Sequence, residues 1–439
     1  RYKREKIMNY SEARKFVEET TKYGSILGLD TIKTLLGELG NPQDKVKIVH
    51  VAGTNGKGSV FTFVQNVLLQ AGYHVGRYAS PAVFEYREII QFDGKNITEE
   101  EFAKYITTVN MACERMVRKG KHHPTSFEVE TALAYLYFSN KPCDIVLIET
   151  GMGGETDASN VEKEALCSVI TSISLDHMQF LGETIEEIAR VKSGIIKENS
   201  DVVVANQDES IINVIKSKAE IKNSKVVVAN EPYNIKIDGY ITSFDYVTAN
   251  DTKLSIKISM MGAYQLINAC TAIETLEVLR NKGYNISDEN IIEGMKNAKW
   301  PGRMEIINES PLIVIDGAHN PGAAVKLKES IEMYFTNKRI AFIMGVLADK
   351  DYSKEIKIVA GLAKKIFTIT PDNKRALNGK ALALAVADSN KNVIFEPTLE
   401  EAVKEAEKLY RNNEIDMILA FGSLSYLGDL KNIINDANS

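Results

Sequence analysis

The order of apolar and polar residues predicts short strands that alternate with helices over the first half of the chain. Apolar residues at helical spacing predict helices, over Met8–Tyr23, Thr31–Leu39, Glu99–Arg118, Ser126–Asn140 and Thr184–Lys197. Short continuous apolar runs predict buried strands, at Ile48–Ala52, His74–Tyr78, Asp144–Ile148, Ala165–Leu175 and Val202–Ala205. Strands that alternate with helices in this way are typical of α/β domains with largely parallel sheets.

The pattern changes in the second half. From Lys225 to Ser259, apolar and polar residues alternate around Asp-Gly and Asn-Asp turns, which predicts antiparallel hairpins. Helical spacing returns at Ala263–Asn281 and Ser287–Asn297, and the rigid stretch Trp300–Gly302 follows as a candidate hinge. Beyond it the chain repeats strand and helix, with strands near 312–315, 340–345, 365–369, 392–395 and 416–420. This last part is therefore predicted to be a Rossmann-like domain.

The length of 439 residues favours two domains, which we place at residues 1–298 and 299–439. A net charge of −6 gives no electrostatic reason to expect a nucleic acid or a membrane surface as partner. The four cysteines lack the spacing of a zinc site or a disulfide framework. Because no apolar stretch reaches about 18 residues and the basic N-terminus has no apolar signal core, a cytoplasmic location is expected.

The segment Ile48–Val60, IVHVAGTNGKGSV, carries the clearest chemical signal. An apolar run stops at Gly53, three glycines fall within six residues, and helical spacing begins at Val60. Such a turn between strand and helix directs backbone N–H groups and the positive end of the helix at one point, which suits phosphate. Lys57 would add a positive charge and the hydroxyl of Thr54 or Ser59 could reach a phosphate-bound Mg²⁺. The alternative is a glycine-rich turn with a solvated lysine.

Several other apolar runs end in polar residues. Glu149 ends one, Asp176 and His177 end another, and Asp316 ends a third. Ligands of open parallel sheets bind at the carboxyl ends of the strands, so Glu149 and His177 would share an edge with the glycine loop if their strands are neighbours. A carboxylate and an imidazole beside a triphosphate would suit a divalent metal, whereas each residue alone could be a helix cap or a turn residue.

Lys192 lies at the centre of an apolar helical stripe, which contains Ile185, Ile188, Ala189, Ile195 and Ile196. A buried charged lysine is costly unless it is paired. Lys192 must therefore find an acid, reach solvent, lose its proton or be modified, and a lowered pKa would make it nucleophilic towards CO₂.

Weaker candidates complete the set. Arg303 follows the hinge candidate and suits a phosphate, or is a surface arginine. Gln265 and Asn268 are one helical turn apart and could read a base edge or fill a buried gap. Ser423 follows the last strand and is expected to cap the last helix.

These stretches together resemble the folylpolyglutamate synthase/dihydrofolate synthase family of the Mur ligase superfamily over nearly the full length. The matching stretches are VAGTNGKGS (51–59), ETGMGGETDASN (149–160), ITSISLDHMQFLGETIEEIARVKSGIIK (170–197), QLINA (265–269), WPGRME (300–305), DGAHNP (316–321), GVLADKD (345–351) and FGSLSYLG (421–428). The resemblance implies a Mur-type P-loop ATPase domain followed by a Rossmann-like C-terminal domain.

The resemblance also implies roles at the nucleotide and metal sites. The ATP phosphates would be held by the whole loop, Gly53, Thr54, Asn55, Gly56, Lys57, Gly58 and Ser59. Asn268 is similar to an adenine contact, Asp316 to a ribose contact and Arg303 to a phosphate contact from the other domain. Magnesium, one ion or two, would be held by Ser80, Glu149, His177 and the carbamate that CO₂ forms on Lys192. A monovalent cation is compatible with this pattern.

The resemblance further implies which residues act on the substrates and which bind them. His319 is similar to the histidine near the phosphates and the incoming glutamate, and with Lys57, Lys192 and Arg303 it forms the expected catalytic set. The remaining substrate contacts are expected at Leu29 in the loop 27–32, Phe127, Glu128, Asp157 and Ser423. Three positions depart from the family pattern, Glu155 in place of Arg, Ala82 in place of His and Val191 in place of Glu. They leave open which folate is preferred.

The implied activity is ATP-dependent addition of L-glutamate to a folate or pteroate carboxylate through an acyl phosphate, by a monomer whose domains close about Trp300–Gly302. Two alternatives remain at this stage. Another Mur-type ligase would use the same ATP motifs for another amino acid. A P-loop kinase or a nucleotide-dependent binding protein would explain the glycine loop but not Lys192 or DGAHNP.

Overall fold

The computed structural model describes residues 7–24, 28–176 and 178–438. The chain forms two compact units, neither continuous in sequence. Unit 1 comprises Arg1–Glu231, Tyr246–Leu254 and Asn268–Met295, and unit 2 comprises Pro232–Asp245, Ser255–Ile267 and Lys296–Ser439. The predicted domain boundary at residue 298 lies close to Lys296, where the last segment of unit 2 begins. The division of the chain into two domains at this boundary stays a prediction. Within the described ranges, no helix combines the length and apolarity that crossing a bilayer requires.

Unit 1 is built on an eight-stranded sheet in the order β4-β3-β2-β5-β1-β6-β7-β8. Its strands are β1 (Ile48–Ala52), β2 (Val75–Tyr78), β3 (Ile90–Phe92), β4 (Lys95–Asn96), β5 (Ile145–Glu149), β6 (Cys167–Ile170), β7 (Asp201–Val204) and β8 (Lys225–Val228). Strand β1 pairs in parallel with β5 on one side and β6 on the other. The strand that leads into the glycine loop is therefore central, and only β3 and β4 at one edge pair antiparallel.

Helices cover both faces of this sheet. They are α1 (Tyr10–Thr20), α2 (Asp30–Glu38), α3 (Lys57–Gln70), α4 (Glu99–Arg118), α5 (Ser126–Phe138), α6 (Met178–Leu181), α7 (Ile185–Lys192) and α8 (Glu209–Ile221), followed by α9 (Tyr264–Asn281) and α10 (Asp288–Asn297), which run from one unit into the other. Side-chain oxygens of Asn9, Thr98, Thr125 and Thr184 cap four of these helices, which explains where they begin. One apolar core lies under α1, α2, α4 and α5, and another lies under α7 and α8.

The hairpins predicted after Lys225 form a separate antiparallel sheet in the order β11-β10-β9. Its strands are β9 (Tyr233–Asp238), β10 (Ile241–Val247) and β11 (Lys253–Ile258). In β10 and β11 every second residue is buried, as alternation requires. The prediction was wrong for residues 225–228, because β8 pairs in parallel with β7 in the large sheet.

Unit 2 is built on a six-stranded sheet in the order β12-β13-β17-β14-β15-β16. Its strands are β12 (Glu305–Glu309), β13 (Leu312–Ile315), β14 (Ile340–Met344), β15 (Ala363–Thr368), β16 (Val393–Phe395) and β17 (Met417–Phe421). The helices between them are α11 (Pro321–Tyr334), α12 (Tyr352–Val359), α13 (Gly379–Ala387), α14 (Leu399–Arg411) and α15 (Leu427–Asn438). All pairs are parallel except that of β12 with β13, so the predicted strand–helix repeat is confirmed and an unpredicted edge strand is added.

Two predicted boundaries were wrong for reasons that bear on the site. The run Ala165–Leu175 is a strand only from Cys167 to Ile170, because Ser172 and Ser174 then bond to the glycine loop instead of to another strand. The helix predicted over Thr184–Lys197 ends at Lys192 and continues as one 3₁₀ turn, Ser193–Ile195. Lys192 is therefore the last residue of its helix.

Candidate active site

The glycine loop lies at the carboxyl end of β1 and leads directly into α3, as predicted. The N–H groups of Thr54 and Asn55 donate to the Ser172 carbonyl at 2.9 and 3.1 Å, and Thr171 Oγ1 donates to the Asn55 carbonyl at 2.7 Å. These bonds hold the loop against the segment after β6. Gly56, with φ of 90°, is the N-terminal cap residue of α3 and supplies no side-chain cap. The first N–H groups of α3 are thus left for another acceptor, and phosphate oxygens fit that need.

Replacing Gly56 with alanine is expected to weaken binding of an ATP analogue about tenfold or more. A Cβ at Gly56 would lie 2.3 Å from Asn268 Oδ1, so the loop or the asparagine must move. Gly72 is a matched control, since its φ of 88° imposes the same backbone strain and no atom lies within 4 Å of the place that a Cβ would take there. Calorimetric titration should show lost affinity only for Gly56→Ala; equal affinity of the two variants would contradict the assignment of the loop to phosphate.

Two lysines converge on the loop. Lys57 Nζ donates to the Gly53 carbonyl at 3.1 Å and lies 3.6 Å from Glu149 Oε1. Lys192 Nζ donates to the same Gly53 carbonyl at 3.0 Å, from a helix that is 139 residues away in sequence. The predicted residues Lys57, Glu149 and Lys192 are thus brought together around Gly53.

The environment of Lys192 favours its neutral form. Burial and the positive charge of Lys57 lower the pKa of Lys192 from 10.5 to about 7, against the opposing effect of Asp176, Asp157 and Glu149. A neutral amine is nucleophilic, as the chemistry predicted for this residue requires.

Glu149 and Ser80, two of the residues predicted to hold magnesium, lie at the carboxyl ends of neighbouring strands of the sheet. Glu149 ends β5, and Ser80 lies two residues after the end of the neighbouring strand β2, which runs parallel to β5. A buried carboxylate and a hydroxyl are oxygen donors of the type that Mg²⁺ prefers, so the residues fit this ion. Among residues 7–24, 28–176 and 178–438, no cluster of three or more His, Cys, Asp or Glu side chains is arranged for a metal. His177, the fourth predicted ligand, lies outside these residues.

The predicted substrate residues of unit 1 fall into two groups. Phe127 packs over Gly151, where a Cβ would lie 2.4 Å from its ring, and it stacks on Tyr78. Leu29 precedes α2 and is half-buried, whereas residue 27 of the same loop lies outside the described residues. Both side chains are partly buried and pack against the core under α1, α2, α4 and α5, and their contact with a substrate stays a prediction.

Glu128 and Asp157, by contrast, are engaged in local structure. Glu128 is 2 % exposed, and its Oε2 accepts from the backbone N–H and the hydroxyl of Thr125 in the cap of α5. Asp157 is buried and accepts from the N–H of Met152 at 2.7 Å and the N–H of Ser159 at 2.9 Å. Both carboxylates therefore shape the segments that carry them, and their contact with a substrate stays a prediction.

In unit 2, Asp316 and His319 follow β13, and Arg303, which precedes β12, lies beside Gly317. Asp316 is buried and accepts from the Tyr264 hydroxyl and the Met304 N–H, each at 2.9 Å. Burial raises the pKa of Asp316, and Arg303 opposes that rise. A Cβ at Gly317 would lie 2.1 Å from Arg303 Nη1, so the guanidinium packs directly on this glycine.

His319 and Ser423 are each oriented by a local hydrogen bond. His319 Nδ1 donates to the Gly317 carbonyl at 2.7 Å, which sets the tautomer of the ring. Ser423 Oγ accepts from the Ser425 N–H at 3.2 Å and caps the 3₁₀ turn Leu424–Tyr426, not the helix α15 as predicted.

Sequence reasoning missed two features. His50 received no role, yet it is fully buried on β1 and contacts Glu162 at 2.6 Å. Its position inside the apolar run Ile48–Ala52 was the available signal, since a buried imidazole needs a polar partner. No local pattern in the sequence indicates the hydrogen bond from Tyr264 to Asp316, because 52 residues separate the two.

Comparison with known proteins agrees with this geometry. Residues 51–276 match the family described as the Mur ligase middle domain, and residues 302–424 match the Mur ligase, glutamate ligase domain. The chain is 36 % identical over 427 residues to the dihydrofolate synthase/folylpolyglutamate synthase of Bacillus subtilis strain 168, which covers 96 % of this chain and 98 % of that protein.

Solved structures extend the likeness to the fold. Folylpolyglutamate synthase from Mycobacterium tuberculosis, complexed with ADP and AMPPCP, aligns with a TM-score of 0.89 at 26 % identity and covers 97 % of this chain and 99 % of that one. A complex of folylpolyglutamate synthase with AMPPCP and folate aligns with a TM-score of 0.84 at 30 % identity, over 97 % of this chain and 100 % of that one. With its glycine loop, its paired α/β units and a full-length relative above 30 % identity, this chain belongs to the folylpolyglutamate synthase/dihydrofolate synthase family of the Mur ligase superfamily.

Proposed function

We propose that this protein is an ATP-dependent ligase that adds L-glutamate to the carboxylate of a folate or pteroate. The observation that carries the proposal is the convergence of Lys57, Lys192 and Glu149 around Gly53 at the end of β1. The match of residues 302–424 to a glutamate ligase domain supports the identity of the amino acid. Family membership supports the choice of a folate over another carboxylate.

The chemistry explains why such a site needs a phosphate loop. A carboxylate is a poor electrophile, so the substrate carboxylate first attacks the γ-phosphate of ATP, ADP leaves, and an acyl phosphate forms. The α-amine of glutamate then attacks the acyl carbon, and phosphate leaves as the amide forms. Lys57 and the N-terminus of α3 would stabilise the charge on the transferred phosphoryl group, which is the main catalytic task in such a transfer.

We assign the remaining predicted residues as follows. Ser80, Glu149, His177 and a carbamate on Lys192 would hold magnesium, which when bound supplies further positive charge to the phosphates. Asn268 would contact adenine, and its packing against Gly56 supports a place near the nucleotide. In unit 2, Arg303 would contact a phosphate, Asp316 the ribose and His319 the incoming glutamate. The monovalent cation, the monomeric state and the cytoplasmic location stay predictions.

A single assay tests the function. We expect repeated turnover of ATP to ADP only when ATP, L-glutamate and a folate or pteroate are all present, and mass spectrometry should find the product heavier by one glutamyl residue. Dihydropteroate and tetrahydrofolate are compared as substrates, and D-glutamate and L-aspartate serve as matched controls for the amino acid. Repeated turnover to a stable phosphorylated product without glutamate would indicate a kinase, because the ligase would form at most one acyl phosphate per site. A product with another amino acid would indicate a different Mur-type ligase.

A further inference from the structure

A buried polar network lies behind the active-site edge of unit 1 and links three segments that carry site residues. We propose that His50, Glu162 and Lys197, which form this network, are positioning residues for the ligase reaction. The expected loss of kcat rests on the proposed function, whereas the contacts of the network are present without any substrate.

The first link joins β1 to the segment after β5. His50 is fully buried on β1, three residues before Gly53, and its Nδ1 donates to Glu162 Oε1 at 2.6 Å. Its Nε2 lies 3.0 Å from Ser159 Oγ and 3.1 Å from Thr150 Oγ1. Thr150 directly follows Glu149. The strand that ends in the glycine loop is thus fastened to both ends of the segment 150–162.

The second link joins the same segment to the end of α7. Lys197 Nζ lies 3.1 Å from Glu162 Oε1 and donates to Asn160 Oδ1 at 2.6 Å. Asn160 Nδ2 donates to the Gly194 carbonyl at 3.1 Å, two residues after Lys192. Direct backbone contact strengthens this link, since the Glu155 N–H donates to the Val191 carbonyl at 3.1 Å.

The network is charged and buried at the same time. The side chains of His50, Glu162 and Lys197 are 0 %, 2 % and 10 % exposed. Burial raises the pKa of Glu162, but His50 and Lys197 more than reverse this and leave the pKa below its ordinary value. Buried ion pairs add little stability compared with well-packed apolar side chains, but they demand one geometry. Such a group suits the task of holding three segments in register.

The active site requires these three segments to keep fixed positions relative to one another. Gly53, Glu149 and Lys192 come from three separate segments, and the network bonds to each of these segments within three residues of the site residue. Catalysis depends on distances held to a fraction of an ångström. Nucleotide binding depends on the positions of the N–H groups of the glycine loop, and these are held by Ser172 and Thr171 and not by the network. Loss of the network should therefore lower turnover much more than nucleotide affinity.

The test compares two buried glutamates of unit 1. Glu162→Gln keeps the size of the side chain, weakens the contact with His50 and removes the charge that faces Lys197. Glu274→Gln is the matched control, because both glutamates are buried and each accepts from a tyrosine hydroxyl, Glu162 from Tyr135 at 3.4 Å and Glu274 from Tyr246 at 2.7 Å. Glu274 lies on α9, outside the three segments that the network joins. We expect Glu162→Gln to lower kcat at least tenfold and to leave the Kd for AMPPCP within threefold of the wild type, while Glu274→Gln changes neither.

Further variants and a second readout keep the test decisive. Lys197→Met should resemble Glu162→Gln, and Lys197→Arg should recover most of the lost kcat. If Glu162→Gln does not fold, Thr150→Val removes the hydroxyl that lies 3.1 Å from His50 Nε2 and should lower kcat at an unchanged melting temperature. Hydrogen exchange should rise in residues 150–160 and 191–196 of the network variants alone, whatever the substrate proves to be.

The contrary outcomes are equally defined. If Glu162→Gln and Glu274→Gln lose kcat only in proportion to their melting temperatures, and exchange rises in neither segment, the network has no positioning role and the proposal is overturned. An inactive wild-type protein would contradict the proposed function instead, and the exchange data would still decide for or against the network.

Discussion

Replacing Lys57 with methionine is expected to lower kcat about 10²- to 10³-fold, the range seen when one charge-stabilising donor is removed from an active site. Lys57 is the first residue of α3 and its Nζ lies within 3.6 Å of both Gly53 O and Glu149 Oε1. Its charge is therefore placed where phosphate charge would develop. Methionine keeps the aliphatic stem and removes only the ammonium group.

Steady-state kinetics with saturating ATP, folate and glutamate measure this effect. Lys222→Met serves as the control, because Lys222 also pairs with a glutamate, Glu198 at 3.2 Å, at a site far along the chain from the glycine loop. We expect Lys222→Met to keep wild-type kcat. A Lys57→Met enzyme that retains more than a tenth of wild-type kcat would refute the role of this lysine in phosphoryl transfer.

Replacing Lys192 with methionine should have two opposite effects, a loss of kcat of about 10²-fold or more and a gain in stability near pH 6. Because the native pKa of about 7 lies below the ordinary value of 10.5, the unfolded chain binds more protons between pH 7 and pH 10.5. The free energy of unfolding of the wild type therefore rises with pH between pH 7 and pH 10.5. Below pH 7 the buried amine is charged, and the full free-energy cost of burying that charge lowers the stability. That cost is on the order of a few kcal/mol.

Melting temperatures in CO₂-free buffer at pH 6 and pH 10.5 test the sign. We expect Lys192→Met to melt above the wild type at pH 6 and the difference to shrink by pH 10.5. A constant difference across this range would mean that the lysine is charged in the native state.

The carbamate proposed on Lys192 has a test of its own. Lys192→Ala leaves room where the amine stood, so a short carboxylate such as acetate should restore part of the lost activity if an anionic carbamate normally acts there. Lys57→Ala gives the control, since no carboxylate can replace a cation. Absence of rescue in Lys192→Ala, together with independence of the wild type from added bicarbonate, would reject the carbamate.

Local patterns in the sequence predicted most of the strands and helices because those elements obey short-range rules. The run Ile48–Ala52 followed by glycines and a helical period specifies a phosphate loop without reference to the rest of the chain. Glu149 was found in the same way, as a polar residue that ends an apolar run. Local patterns failed where a distant segment supplied the partner. Ser172 and Ser174 bond to the glycine loop, so the strand ends early, and β8 joins the large sheet.

The amino-acid sequence alone predicts which chemical groups the site contains: a loop for phosphate, carboxylates at strand ends, and a lysine at an apolar position of a helix. These predictions follow from side-chain chemistry and from the periods of strand and helix. Folding in three dimensions brings Lys57 and Lys192 to the same Gly53 carbonyl, places Glu128 in a helix cap and buries His50 against Glu162. Such contacts join residues up to 139 positions apart, and no local period encodes which of many distant segments will be neighbours after folding.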